Sequence, residues 1–162
     1  MLMVAAGLQT GCRDAGPRTV TFDPPYPEHA GDGGSIVAVF AGRVPCTLPH
    51  CDRLKVLLVV YGSSSVAESG SYWLALIGAW GNDRHVTQGR WTTQQGVPDY
   101  AQAKVYALDE RAPEGFRYFW RVDADVALVL DDHLRPRVGD GAWGFMLSRD
   151  DAPYGPRTYM LP

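Results

Sequence analysis

Between residues 35 and 148 the chain alternates short apolar runs with turn residues, and the runs have a period near two. Stretches 35–41 (SIVAVFA) and 54–61 (LKVLLVVY) are rich in β-branched residues, which favour a pleated, half-buried surface. Further runs follow at 71–78, 85–93, 103–108, 116–122, 125–130 and 143–148. In the sixth, Phe116, Tyr118, Trp120 and Val122 fall on one face and Arg117 and Arg121 on the other, the signature of a half-buried strand. The third is apolar on both faces, through Tyr72, Trp73, Leu74, Leu76 and Ile77, so it is expected to be covered on its outer side as well. Gly-, Asn-, Asp- and Pro-containing turns separate the runs, and no stretch of ten residues shows helical periodicity. The expectation is an all-β fold, a small up-and-down antiparallel barrel of about eight strands.

The ends look different. Residues 13–34 are Pro- and Gly-rich without apolar periodicity and read as a tether, and 151–162 read as an irregular tail. Residues 1–11 are mostly apolar and are followed by Cys12, the order found in a bacterial lipoprotein signal that ends at its lipidated cysteine. A frayed N-terminus with an incidental cysteine is the other reading. The expected organisation is therefore a signal remnant at 1–12, a tether at 13–34, a barrel at 35–150 and a tail at 151–162.

Composition narrows the classes. The 162 residues carry 15 basic and 18 acidic side chains, a formal charge of −3, which leaves no electrostatic footprint for nucleic acid. No apolar run reaches the length of a membrane-spanning helix.

Candidate chemistry concentrates in Pro45-Cys46-Thr47-Leu48-Pro49-His50-Cys51. In an exported protein, two cysteines so close in a Pro-containing loop most simply form a disulfide. Reduced, Cys46 and Cys51 with His50 would offer two thiolates and an imidazole, donors that suit Cu(I). A redox- or metal-responsive pair is thus the functional alternative to a structural bridge. Other polar groups form no catalytic pattern. Ser63, Ser64 and Ser65 lie in a turn without a nucleophile elbow, and Glu68, Asp109, Glu110 and Glu114 fall in or beside turns. His133 after Asp131 and Asp132 reads as a solvated turn. The chain is expected not to be an enzyme. Aromatic side chains make up 11% of the residues and are expected to fill the barrel, with a ligand cavity lined by Trp73, Trp91, Tyr118 and Trp120 as the alternative.

The order of several short motifs resembles the N-terminal domain of the NlpE-type envelope lipoproteins. These are Pro45-Cys46 ahead of Cys51, the strand 54–61, Gly89-Arg90-Trp91 and the strand 104–108, then 126–130, His133-Leu134-Arg135-Pro136 and 143–149. Four residues separate the cysteines here, where the family usually has two, and Val44 replaces the leucine before Pro45. The resemblance implies a lipocalin-like barrel anchored to the outer membrane by lipid on Cys12 and facing the periplasm. It also implies copper tolerance, envelope-stress or surface sensing, and a signalling partner in the envelope. Two other functions stay open: a carrier of a small apolar ligand, and a periplasmic inhibitor or binder of another protein.

Overall fold

The computed structural model describes residues 18–22, 25–46, 51, 53–78, 84–139, 144–150 and 157–161. Among them lie ten strands: β1 (Arg18–Phe22), β2 (Ser35–Pro45), β3 (Arg53–Gly62), β4 (Ser69–Ile77), β5 (Arg84–Val97), β6 (Tyr100–Leu108), β7 (Tyr118–Arg121), β8 (Val126–Val129), β9 (Met146–Arg149) and β10 (Arg157–Leu161). Strands β2 to β9 pair in sequence order, all antiparallel, and β9 returns to β2 to close an eight-stranded barrel. The up-and-down expectation holds strand for strand. Closure leaves the barrel no free edge along its paired length, which removes a template for edge-to-edge association.

Two segments differ from their sequence reading. β1 and β10, five residues each, pair antiparallel with each other, one within the stretch read as a tether and one within the stretch read as an irregular tail. Each run is too short, and too closely flanked by proline, to reveal a period of two. The chain divides into two compact units, Met1–Pro25 with Tyr154–Pro162, and Tyr26–Pro153. The barrel unit therefore begins inside the expected tether. Tyr26 packs 6.0 Å from Trp73, and Tyr61 donates its hydroxyl hydrogen to the Pro27 carbonyl at 2.7 Å. Asp32 accepts from Ser71 at 3.2 Å and pairs with Arg90 at 2.9 Å. That ion pair is exposed and adds little stability by itself; its role is to seat the segment.

Side-chain parity sets three apolar clusters. Inside the barrel, Phe40, Val56, Leu58, Leu74, Trp91, Phe119, Val129 and Leu147 are almost fully buried. On the outer face of β2, β3 and β4, Val39, Leu57, Val59, Trp73 and Ala75 pack beneath Tyr26. This explains why β4 is apolar on both faces, as its sequence requires. On the outer face of β5 to β7, Val97, Ala103, Val105 and Leu130 gather Tyr118 and Trp120. β7 reverses its expected facing: Phe119 points into the core at 0% exposure, while Tyr118 and Trp120 lie outside it, partly buried. The alternation was real. Which face turned inward was decided by the partner strands, since Val105 pairs with Trp120 on the outer side. A bulge between Ile36 and Ala38 lets Ile36 join the outer cluster and Ala38 the inner one.

Candidate functional site

The cysteine loop joins the first two barrel strands. Cys46 follows the end of β2, Cys51 precedes β3, and the two form a disulfide with Cα atoms 5.6 Å apart. A disulfide sulfur carries no thiolate charge, so capture of Cu(I) by this pair requires reduction first. His50 lies outside the described residues, as does Cys12, so neither the three-donor set nor the lipidation site has a described geometry. Among the described residues no group of three or more His, Cys, Asp or Glu side chains could hold a metal ion.

The four aromatics named for the alternative of a ligand cavity do not converge. Trp91 is the one inside the barrel, edge-on to Tyr106 at 5.1 Å between ring centroids. Trp73 sits in the outer cluster under Tyr26, with the Arg84 guanidinium 4.8 Å from its ring. Tyr118 and Trp120 belong to the other outer cluster, where Trp120 lies 5.2 Å from Tyr100 beside an open groove of about 600 Å³. Because successive residues of a strand point to opposite faces, no shared wall exists for rings of opposite parity.

A polar network at one end of the barrel was not legible as a site. Two Gly-x-aromatic triplets, Gly70-Ser71-Tyr72 on β4 and Gly89-Arg90-Trp91 on β5, meet in antiparallel register with Gly70 opposite Trp91 and Tyr72 opposite Gly89. Each ring therefore crosses a glycine on the neighbouring strand. Trp91 passes Gly70 and donates its indole N–H to the Tyr61 carbonyl on β3 at 2.8 Å. Tyr72 passes Gly89 and donates to Asp109 at 3.2 Å, and the Asp109 carboxylate occupies the space that a side chain at position 89 would fill. Asp109 also accepts from the Arg90 backbone N–H at 2.8 Å and from the Arg111 guanidinium at 2.7 Å. Burial pushes this carboxyl up, but the Arg90 and Arg111 donors and the Tyr72 hydroxyl outweigh it and hold Asp109 below the usual carboxylate range. Burial first, and then the Asp109 charge, push the Tyr72 phenol up to about 12. A tyrosine so disposed stays protonated at neutral pH and serves as a hydrogen-bond donor, not as a base. The signal that could have found the network is the repeat of Gly-x-aromatic on consecutive strands.

The remaining candidates stay local. Asp131 accepts the backbone N–H groups of His133 and Arg135, both at 2.9 Å, and the Arg135 bond leads in holding its carboxyl down, so this is a capped turn. No family model, curated protein or solved structure matches the chain.

Proposed function

We propose that this chain is a non-enzymatic, lipid-anchored envelope lipoprotein of the NlpE type, serving copper tolerance and envelope-stress or surface sensing. The observation that carries the reading is the position of the Cys46–Cys51 loop. It bridges the first and second strands of a closed eight-stranded barrel, where the family motif Leu-Pro-Cys-x-x-Cys precedes the second strand. In this reading Cys12 takes lipid, the outer membrane holds the anchor, and the barrel presents the loop to an envelope partner. Reduction of the bridge by an envelope thiol donor opens the loop and frees both thiolates for copper, and either change alters the surface the partner meets. A carrier of a small apolar ligand draws less support, because the inward-facing side chains are packed against one another. The groove beside Trp120 is the place such a ligand would meet the surface. Quenching of tryptophan emission by an added fatty acid tests that reading.

Cys46→Ser separates the bridge's two roles. Closing so short a loop stabilises the fold by about 2 kcal/mol on the chain-entropy account, so the variant is expected to keep its β-sheet circular dichroism at ambient temperature. In a bacterial strain dependent on this chain for copper tolerance or for an envelope-stress reporter, the same variant is expected to lose the response. A full response from Cys46→Ser contradicts the proposal.

A further inference from the structure

At the barrel mouth where β6 meets β7, two cations face one another without compensation. Lys104 stands directly opposite Arg121 in the antiparallel register. Each shares the parity of an inward residue on its own strand, Tyr106 on β6 and Phe119 on β7, so both side chains rise from the inner face at its open end. Like charges placed directly opposite destabilise a strand pair. Neither side chain makes an ion pair or hydrogen bond among the described residues. The chain as a whole is negative at −3, so a generally basic surface does not account for the pair.

Between them lies a cleft of about 180 Å³, walled on its apolar side by Val37 and Ala67 and floored by Thr93 and Tyr106. The turn that bears Ala67 is tied to the cleft by the Thr93 backbone N–H, which donates to the Glu68 carbonyl at 2.6 Å. Glu68 also lines the cleft, but its carboxylate pairs with neither cation, and the local balance stays positive. The volume is below the roughly 300–1,000 Å³ of sites that enclose drug-sized ligands. It suits a single charged group. A guanidinium fork, an ammonium and the hydroxyl-bearing side chains of Ser65, Thr93 and Tyr106 around such a volume are the donors that recognise a tetrahedral oxyanion.

We propose that this cleft binds a phosphate group, with Lys104 and Arg121 as its charged contacts and Val37 and Ala67 as the wall along which the rest of the ligand leaves. The repulsion between the two cations is relieved when the anion is bound, so binding and stability are linked. The inference stands apart from the cysteine loop and from the envelope-sensing reading.

The test is an amide NMR titration of the full chain with sodium phosphate, against sodium chloride of equal ionic strength, and separately with a short-chain phosphatidylglycerol below its micelle concentration. Saturable shifts centred on Thr93, Lys104 and Arg121 are expected, weakened at least tenfold in the double variant Lys104→Gln, Arg121→Gln. That variant loses a repulsion and is expected to unfold at the same temperature as the parent or higher, so misfolding does not mimic lost binding. Saturation by inorganic phosphate alone assigns the site to a free anion. Tighter saturation by the lipid assigns it to a headgroup. The proposal is overturned if neither ligand gives saturable shifts there, if chloride gives the same shifts, or if the double variant binds as tightly as the parent.

Discussion

Replacing Gly70 by alanine is expected to destabilise the protein by about 3–5 kcal/mol, a large share of the 5–15 kcal/mol typical of a folded domain. The new methyl carbon would fall on the Tyr61 carbonyl oxygen and 2.9 Å from the Trp91 indole nitrogen, between the partners of the hydrogen bond that Trp91 makes across β4. Two costs add. The indole and the carbonyl, both buried, lose each other, which costs about 1–3 kcal/mol. The overpacked contact then shifts strands that are held on both sides, for about 1–3 kcal/mol more. Trp91→Phe removes the bond without the collision and is expected to cost less than Gly70→Ala. Urea unfolding of the full chain checks both, and the double variant decides the mechanism. With the indole N–H already gone, Gly70→Ala should cost measurably less than it does in the parent. Strict additivity would mean that the glycine acts on something other than the Trp91 bond.

Asp109→Ala is the second large effect, expected at about 2–4 kcal/mol. It leaves the part-buried Tyr72 hydroxyl and the exposed Arg90 backbone N–H without their acceptor. The exposed Arg111 guanidinium returns to water at little cost. The pH dependence identifies the group. Asp109 has a folded pKa below its ordinary 3.8, so its contribution is complete above that value and is lost as the pH falls through the lower, folded one. Parent and variant stabilities should therefore converge in acid, below about pH 4. Tyr72 has the opposite sense. Its pKa is raised from 10.0 to about 12, so the folded protein holds a proton that the unfolded chain releases. Stability present below pH 10 then declines between about 10 and 12, by about 2–3 kcal/mol. Tyr72→Phe should remove that alkaline component. Chemical unfolding at pH 3, 7 and 11.5 reads the parent and both variants; acid and alkaline limbs unchanged by either substitution would contradict the network.

What the sequence disclosed and what it hid divide along the reach of the interactions. All eight barrel strands were readable because period-two patterning and turn chemistry are local properties, and the cysteine pair was readable because its loop is short. β1 and β10 were hidden because a five-residue strand between prolines carries no period of its own. β7 showed its alternation but not its facing, since bulky aromatics occupy both parities at Tyr118, Phe119 and Trp120, and only the neighbours on β6 and β8 choose between them. Asp109 looked like a turn residue because its partners Tyr72 and Arg90 lie 37 and 19 positions away. Trp73, Trp91, Tyr118 and Trp120 lie in different clusters for the same reason: proximity along the sequence of strands does not fix which side of the sheet a ring occupies.

The proposed function requires a lipid-anchored, exported barrel with a closed cysteine loop. Intact mass of the full-length protein taken from a bacterial envelope, with and without thiol alkylation, tests it most directly. The predicted result is a mass gain matching lipid on Cys12, with alkylation of Cys46 and Cys51 only after reductant is added. An unlipidated chain that alkylates at all three cysteines without reductant would contradict both the anchor and the bridge.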